Sequence, residues 1–318
     1  MTVMSSELAS HVVAIAAPMR ELLAVAARLA DSRSSVLLEG ESGTGKDLLA
    51  HWLHYNGPRR DAPFIKIHCP SIPEDLLESE LFGHERGAFT DARQTKIGKL
   101  ELAEGGTVYF DQIHDLTPAL QAKLLRVVEE RKFERLGGTR VVEIDVRFMA
   151  SSSVDLRQAV AQGTFREDLY HRLSVVPVTL PPLRARREDI LPLAELFLAR
   201  ERQRGSTKAA TFEAPAADAL RGYLWPGNVR ELRSVVERCA VYASSSATIG
   251  TTALPPQILE QPATLWAGRD RRPSLEDIEQ AYIRYVLEQV GGSQTRAAEV
   301  LGISRKSLWE KRRRYGIP

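Results

Sequence analysis

Between Val36 and Leu180, short apolar runs alternate with segments whose apolar residues recur at helical spacing. Strands that alternate with helices predict an α/β fold with a mostly parallel sheet and helices layered against it. The predicted strands are the apolar runs 36–38, 64–67, 108–110, 146–150 and 175–180.

Beyond Arg187 the pattern becomes purely helical, with Ile190, Leu193 and Phe197 at helical spacing and a second such series from Leu232. The segment 247–273 holds four prolines and predicts a linker. We therefore predict four regions: an α/β core at 1–183, a helical region at 184–250, a linker at 251–273 and a separate all-α module at 274–318.

A glycine-rich turn of the form G-x-x-x-x-G-K follows the first apolar run and precedes a helical segment. Its glycines permit a tight turn in which several N–H groups face one anion, and the following helix offers its positive end. A chance glycine turn is the alternative, but the strand–loop–helix context favours a P-loop that binds ATP. The residues expected to bind the nucleotide are Gly40, Glu41, Ser42, Gly43, Thr44, Gly45, Lys46 and Asp47. The generic motif has Ser or Thr, a magnesium ligand, where this chain has Asp47.

A second strand pattern, 105–111, ends in a carboxylate. Asp111 is a candidate for holding Mg²⁺ through water, as a Walker B aspartate does, and a turn residue is the alternative. A preceding P-loop favours the metal-binding interpretation.

Length, net charge and the distribution of apolar residues set broad limits on the class of protein. The 318 residues, 43% of them hydrophobic, suffice for about two packed domains. The net charge is +2, so any nucleic-acid surface must be a local patch. Pro18 and several charged residues interrupt the apolar stretch 12–30, which fits an amphipathic helix better than a membrane span. We expect a cytoplasmic protein with no membrane partner.

Three stretches, 39–46, 78–92 and 225–232, resemble the central domain of bacterial enhancer-binding proteins, the AAA+ activators of sigma-54 RNA polymerase. The resemblance extends from about residue 11 to the last residue. It implies an AAA+ P-loop core with a helical lid, and ATP hydrolysis in a ring, expected to be a hexamer of one or several kinds of subunit. Hydrolysis in this family moves a surface loop that remodels closed promoter complexes. The matching sigma-contacting loop is Gly87, Ala88, Phe89, Thr90, Asp91 and Ala92.

The resemblance also implies roles for individual residues. Arg166 and Arg172 fall where the family places arginine fingers, which neutralise phosphoryl charge in the neighbouring subunit's site. A solvated helix face is the alternative for both. Arg230 matches the sensor II arginine of the lid. Asn228 and Glu231 have the spacing of a capping pair at a helix start.

Four positions depart from the family pattern. Gln112 replaces the Walker B glutamate, Ser153 the sensor I asparagine, and His68 the asparagine that pairs with that glutamate. Asp91 replaces the second glycine of the surface loop. An amide cannot accept a proton from water, and general bases contribute about 100- to 10,000-fold, although an amide can still orient water. With Asp111 and Gln112 as the catalytic candidates, we expect nucleotide binding with slow hydrolysis.

The pattern of the C-terminal segment 291–309 predicts a helix, a glycine turn and a second helix. We expect Gly302 to end the first helix and Ser304 to cap the second. From Gly291 to Pro318 there are seven basic and two acidic residues, and the pattern resembles the Fis-type helix-turn-helix. A basic solvated helix is the alternative. The candidate DNA-binding residues are Arg305, Lys306, Lys311, Arg312, Arg313 and Arg314.

Two functions are consistent with these features. The first is an ATP-binding, sigma-54-dependent transcription regulator that binds enhancer-like DNA sites upstream of promoters. The alternative is a hydrolysis-deficient DNA-binding repressor or hetero-oligomer partner that uses ATP as a structural ligand. Because the P-loop begins at Gly40, we expect control by a partner protein, by a hetero-subunit or by expression level rather than by an N-terminal sensor domain.

Overall fold

The computed structural model describes residues 12–71, 73–90, 92–259, 274–290 and 293–317. The chain divides into two compact units, Met1–Pro255 and Pro256–Pro318. No helix in the described ranges combines the length and the hydropathy that crossing a bilayer requires.

The strands of the first unit are β1 (Val36–Glu39), β2 (Phe64–His68), β3 (Gly83–His84), β4 (Lys96–Ile97), β5 (Thr107–Asp111), β6 (Lys132–Glu134), β7 (Val141–Glu143), β8 (Arg147–Ser152), β9 (Val176–Thr179), β10 (Thr211–Phe212) and β11 (Thr248–Ile249). Its helices are α1 (Ala17–Ala30), α2 (Lys46–Tyr55), α3 (Glu74–Phe82), α4 (Lys99–Leu102), α5 (Pro118–Glu130), α6 (Leu156–Ala161), α7 (Glu167–Leu173), α8 (Ile190–Gln203), α9 (Ala214–Gly222) and α10 (Asn228–Tyr242).

Among the described residues, five strands form one parallel sheet in the order β2-β5-β8-β1-β9. Leu37 of β1 lies opposite Ala150 on one side and Pro177 on the other. Pro177 is tolerated because β9 is an edge strand, where a missing N–H costs no ladder bond. This sheet confirms the predicted α/β class.

Alternate residues of the central strands face two separate cores, as the period of two of a strand requires. Leu37, Phe110 and Phe148 belong to one core, which side chains of α3, α5 and α7 complete. Leu38 and Tyr109 belong to the other, against α1 and α2. Because helices cover both faces, the middle residues of the central strands are apolar on both sides of the sheet.

The carboxyl ends of β1, β2, β5 and β8 meet at one edge of the sheet, since these strands are parallel neighbours. The glycine-rich turn leaves β1 there, and His68, Asp111 and Ser152 end the other three strands. Parallel α/β folds bind ligands at this edge.

The helical lid consists of α8, α9 and α10 and the short parallel pair β10–β11. Trp225 lies between α9 and α10, fully buried, and its Nε1 donates to the Leu220 carbonyl at 2.9 Å. This anchor fixes the turn that brings the start of α10 to the glycine-rich turn after β1.

The second unit contains α11 (Pro256–Leu259), α12 (Leu275–Gln289), α13 (Gln294–Leu301) and α14 (Arg305–Tyr315). A small core that includes Ile283, Ala297 and Leu308 holds the last three helices together. Gly302 ends α13 at a φ of +65°, and Ser304 caps α14 by accepting from the Ser307 N–H at 3.0 Å. Both predicted helix boundaries are confirmed.

The segment predicted as a linker, 251–273, begins with regular structure. Thr251–Ala253 forms a 3-10 helix, and α11 follows at Pro256–Leu259. The division between the two units falls between these elements. Residues 260–273 lie outside the described residues.

Candidate functional site

The glycine-rich turn is packed closely against the lid. Gly43 has a φ of +80°, and a Cβ there would lie 2.4 Å from the Gly227 carbonyl oxygen. A Cβ on Gly40 would lie 2.8 Å from the Leu180 carbonyl oxygen. Glycine is therefore required at both positions, for conformation and for space.

Lys46 begins α2, and its side chain folds back over the turn. Its Nζ donates to the carbonyls of Gly40 at 2.5 Å and Glu41 at 3.0 Å. Burial lowers the pKa of Lys46, whereas Asp111 and Asp47 act to raise it. A buried ammonium at a helix N-terminus attracts a polyphosphate, which would offset the cost of burying the charge.

Three consecutive residues at the start of α10 contact the turn. The Val229 N–H donates to the Gly43 carbonyl at 3.0 Å, and Arg230 Nη1 donates to Ser42 Oγ at 2.8 Å. Asn228 Nδ2 donates to the Ser42 carbonyl at 3.0 Å. The sensor II candidate Arg230 thus lies directly over the predicted nucleotide-binding residues.

The predicted N-cap role of Asn228 is wrong. Asn228 is the first residue of α10, and its buried Oδ1 accepts from the Leu183 N–H at 2.8 Å instead. Glu231 does reach back, but to the Gly227 N–H at 2.8 Å. Asn228 of the lid therefore connects the lid to the core, because its amide satisfies the Leu183 N–H and the Ser42 carbonyl.

Glu41 forms a second connection between the turn and the lid. Both of its oxygens accept from Arg184, at 2.5 and 2.7 Å. These hydrogen bonds, with a further one from Asn228, lower the pKa of Glu41 to about 2. The carboxylate is mostly solvated, so it orients the turn more than it stabilises the fold.

Asp111 collects three polar partners at the end of β5. Ser151 Oγ donates to Oδ1 at 2.8 Å, while Lys66 Nζ and His68 Nδ1 lie 2.9 Å from Oδ2. Burial acts to raise the pKa of Asp111, but the hydrogen bonds from Lys66, Ser151 and His68 outweigh it and lower the pKa. Asp111 is thus held as a carboxylate.

Lys66 joins Asp111 to Asp47. Its Nζ lies 2.5 Å from Asp47 Oδ2, and the Tyr109 hydroxyl donates to the other Asp47 oxygen at 2.9 Å. Two carboxylates from α2 and β5 therefore converge on one ammonium group.

Gln112 and Ser153, two of the family departures, contact each other. The Gln112 side-chain carbonyl accepts from Ser153 Oγ at 2.8 Å and from its N–H at 3.2 Å. Gln112 has a φ of +60°, and its N–H donates to Ser151 Oγ at 3.1 Å. His68, the third departure near the site, contacts Asp111 rather than Gln112.

The donor set at this edge fits a magnesium ion. Mg²⁺ is usually held by one or two carboxylates together with substrate phosphates and water, and Asp47 and Asp111 already share a cation. In the described part of the chain, no cluster of three or more His, Cys, Asp or Glu could hold a metal by itself. The two carboxylates would therefore supply only part of the coordination of a magnesium ion here, and water and the phosphates of a nucleotide would complete it.

Arg166 and Arg172 lie at the surface around α7. Arg166 immediately precedes the helix and pairs with Asp168 at 2.7 Å, and Arg172 donates to Glu129 of α5 at 2.8 Å. Their side chains are 46% and 60% exposed. Both guanidinium groups are therefore exposed to solvent.

The predicted sigma-contacting loop lies between β3 and β4, which pair antiparallel. The Gly87 N–H donates to the Ala92 carbonyl at 2.8 Å, which closes the loop across its base. Phe89 is 43% exposed and contacts the His84 ring edge-on at 4.9 Å. Ala88 and Thr90 lie in the loop beside Phe89, and Asp91 lies outside the described residues.

A second hairpin, β6–β7, supports this loop. The Glu85 N–H donates to the Leu136 carbonyl at 2.9 Å, and the Leu136 N–H donates to the Gly83 carbonyl at 3.0 Å. Arg135 forms ion pairs with Glu85 and Glu101. The two hairpins are therefore connected by both backbone and charge.

The six basic residues of α14 are not equivalent. Lys311 Nζ pairs with Glu279 of α12 at 2.5 Å, and Arg314 pairs with Glu276 at 2.6 Å. Arg313 is exposed and lies over the Trp309 ring, 5.6 Å from its centroid. Arg305 and Lys306 are exposed at the start of the helix, and Arg312 is half-buried.

Family comparisons divide the chain into three segments. The Sigma-54 interaction domain family matches residues 12–179, the AAA+ ATPase lid domain family matches 184–268, and the Fis family of bacterial regulatory proteins matches 274–315. The chain belongs to the sigma-54-dependent transcriptional regulators. The resemblance inferred from the sequence is confirmed.

Relatives within this family are similar over most of the chain. The regulatory protein AtoC of Escherichia coli is 44% identical over 96% of the chain, and the nitrogen fixation protein AnfA of Azotobacter vinelandii is 41% identical over 97%. The chain spans 68% and 58% of their respective lengths. A crystal structure of NtrX from Brucella abortus in complex with ATP matches 96% of the chain and 70% of that protein, with 34% identity and a TM-score of 0.74.

Sequence reasoning missed Lys66 and Arg184 as site residues of this regulator. A signal for Lys66 was present, because it stands two residues before His68 and so shares its face of β2. Arg184 gave no such signal, since its contact with Glu41 depends on how the lid folds back on the core.

Proposed function

We propose that this sigma-54-dependent regulator binds ATP with Mg²⁺ at the edge of the sheet, between the turn 40–46 and α10. The observation that carries the proposal is the set of contacts between α10 and the turn. Val229, Arg230 and Asn228 bring the lid onto the glycine-rich turn. Turns of this kind present several N–H groups to one anion.

Each residue has a defined task in this proposal. Lys46 would exchange its carbonyl partners for the β- and γ-phosphates, and Arg230 would bind phosphate from the lid side. Asp111 and Asp47 would hold the magnesium ion. The ion, when bound, neutralises the phosphate charge.

Hydrolysis is proposed to be slow. Gln112 stands where the family has the carboxylate that takes a proton from water, and its carbonyl oxygen already accepts two hydrogen bonds from Ser153. His68, which lies close to the site, is engaged with Asp111. This arrangement favours the second candidate function, a hydrolysis-deficient repressor or hetero-oligomer partner with ATP as a structural ligand.

Ring assembly, expected to be hexameric, would place Arg166 and Arg172 against the nucleotide of the next subunit. Their exposure and their weak surface ion pairs support this role, since such pairs exchange at little cost. Sigma-54 RNA polymerase would contact Phe89 and Thr90 of the loop 87–92, where Phe89 is a large exposed apolar side chain.

DNA binding is proposed for the exposed basic face of α14. Arg305 and Lys306 lie at its start, where a recognition helix enters the major groove, and Arg313 suits a phosphate contact. Lys311 and Arg314 would first have to leave Glu279 and Glu276.

A fluorescent-nucleotide titration of the full chain tests the ATP site. Lys46→Ala should remove most of the affinity, because the phosphates lose a charge-assisted hydrogen-bond donor. Lys132→Ala is the matched control, since Lys132 forms an exposed ion pair with Glu143 at 2.7 Å, on the β6–β7 hairpin. Unchanged affinity in Lys46→Ala would refute the site.

A further inference from the structure

Lys66 places a positive charge between the two carboxylates to which the magnesium ion is assigned. Its Nζ lies 2.5 Å from Asp47 Oδ2 and 2.9 Å from Asp111 Oδ2. The Lys66 side chain is only 33% exposed and the Asp111 side chain 10%, so solvent screens this contact weakly.

The remaining oxygens of both carboxylates are already engaged. The Tyr109 hydroxyl donates to Asp47 Oδ1, and Ser151 Oγ donates to Asp111 Oδ1. The two oxygens that face each other across the site are those that Lys66 bridges. The Lys66 ammonium group therefore lies between two carboxylates and is attracted to both.

We propose that Lys66 is a built-in counter-ion that takes the place of a divalent cation between Asp47 and Asp111. The proposal rests on the assignment of magnesium to this site. Lys66 must leave Asp111 Oδ2 before a divalent cation is held there, so metal binding is a competition with the protein's own ammonium. Magnesium affinity is lowered as a result, and nucleotide binding depends less on the metal.

The same arrangement explains a role for Asp47, which binds the Lys66 ammonium. A Ser or Thr at this position would carry no negative charge, so it would hold the Lys66 ammonium less strongly. Asp47 instead anchors the ammonium from α2 while Asp111 anchors it from β5. A purely structural ion pair would account for the same distances. In that case, replacing Lys66 would not change the affinity for magnesium, and this affinity can be measured.

Thermal unfolding of the full chain without nucleotide tests the competition with the metal alone. Protein in EDTA is titrated with MgCl₂, and the unfolding temperature is followed. In Lys66→Met, MgCl₂ should raise the unfolding temperature in a saturable way, at concentrations about tenfold or more below those that the unmodified protein needs. A factor of this size corresponds to the free energy of one hydrogen bond to a charged group. Lys66→Gln, which keeps a donor for both carboxylates, should shift the same way and replaces Lys66→Met if that variant does not fold.

Three further variants locate the effect. Lys66→Arg keeps the positive charge, so its magnesium response should stay closer to that of the unmodified protein than the response of Lys66→Met does. Lys132→Met removes an exposed ion pair elsewhere and should also leave the magnesium response unchanged. Adding Asp47→Asn to Lys66→Met should remove the gain, because one of the two carboxylates is lost. An equal magnesium response in Lys66→Met, Lys66→Gln and the unmodified protein would overturn the proposal.

A second measurement separates this inference from the proposed function. The affinity for a fluorescent ATP analogue is measured in MgCl₂ and in EDTA, and the affinity in MgCl₂ divided by the affinity in EDTA is compared between variants. Lys66→Met should raise that ratio about tenfold or more, since metal-free binding loses a nearby cation. Absence of binding in the unmodified protein would contradict the ATP site, while the titration with metal alone would still decide the role of Lys66.

Discussion

The proposed nucleotide site and the helix-turn-helix unit assemble their charges in opposite ways. Asp47, Lys66 and Asp111 come from α2, β2 and β5 and meet only because the sheet brings three elements together. The basic residues of α14 are consecutive or nearly so on one helix. A site built from distant elements is sensitive to single side chains, whereas a site on one helix is sensitive mainly to its total charge.

The partners of these charges differ too. At the nucleotide site Lys66 and Asp111 are largely shielded from solvent, so each contact fixes a position. On α14, Lys311 and Arg314 pair with glutamates of α12 at exposed positions, where salt screens the interaction. The first region should therefore respond to substitution and the second to ionic strength.

Removal of residues 274–318 should separate the two regions completely. We expect specific DNA binding to be lost, because α12, α13 and α14 are deleted, and ATP binding to be retained, because its residues lie in the other unit. A gel-shift titration and a fluorescent-nucleotide titration measure the two activities. DNA binding by the truncated protein with unchanged salt dependence would place the DNA surface elsewhere.

Gln112→Glu should increase ATP hydrolysis, because it restores a proton acceptor. General bases contribute about 100- to 10,000-fold, and we expect only part of that, since Ser153 and His68 also differ from the family. Steady-state turnover is the measurement, with Lys46→Ala as the inactive control. Turnover of about 1 s⁻¹ or faster by the unmodified protein would contradict slow hydrolysis.

Asn228→Ala should lower the free energy of unfolding by about 1–3 kcal/mol, because the Leu183 N–H loses its partner in a buried place. Ser234→Ala on the same helix is the control. Its hydroxyl donates to the Arg230 carbonyl at an exposed position, so a change within about 0.5 kcal/mol is expected. Equal denaturation midpoints for the two variants would show that the lid is not held through Asn228.

Arg184→Ala should produce the smallest effect, visible only in acid. Arg184 and Asn228 hold the pKa of Glu41 at about 2, below its ordinary value of 4.5. The associated stability is therefore present above pH 4.5 and is lost as the pH falls toward 2. Because Glu41 is mostly solvated, we expect less than about 1 kcal/mol, measured as a flatter dependence of unfolding on pH in the variant. If the free energy of unfolding depended on pH in the same way in both proteins, Arg184 would not stabilise the Glu41 carboxylate.

Features that depend on local chain conformation could be predicted from the sequence. Gly302 and Ser304 mark helix boundaries because a left-handed residue and a side-chain cap act within a few residues. The parallel sheet followed from runs that are apolar because helices cover both faces. The resemblance to a family added the lid and the surface loop.

Features that depend on register and on long-range packing could not be predicted. The contact of Gln112 with Ser153 depends on the register between β5 and β8, which the pattern of apolar residues does not determine. The spacing between Asn228 and Glu231 predicts a local helix cap. In the structure, the buried side-chain carbonyl of Asn228 instead accepts a hydrogen bond from the Leu183 N–H, 45 residues earlier in the chain. Tertiary hydrogen bonds prevailed over a local motif.

The complete burial of Trp225 has a spectroscopic consequence. An indole in an apolar environment emits at shorter wavelength than one in water, and Trp309 of the second unit is 53% exposed. Replacing Trp52 and Trp266 with Phe would leave one blue-emitting fluorophore near α10 and one red-emitting fluorophore on α14. A single emission spectrum would then follow nucleotide and DNA binding separately, without any attached dye.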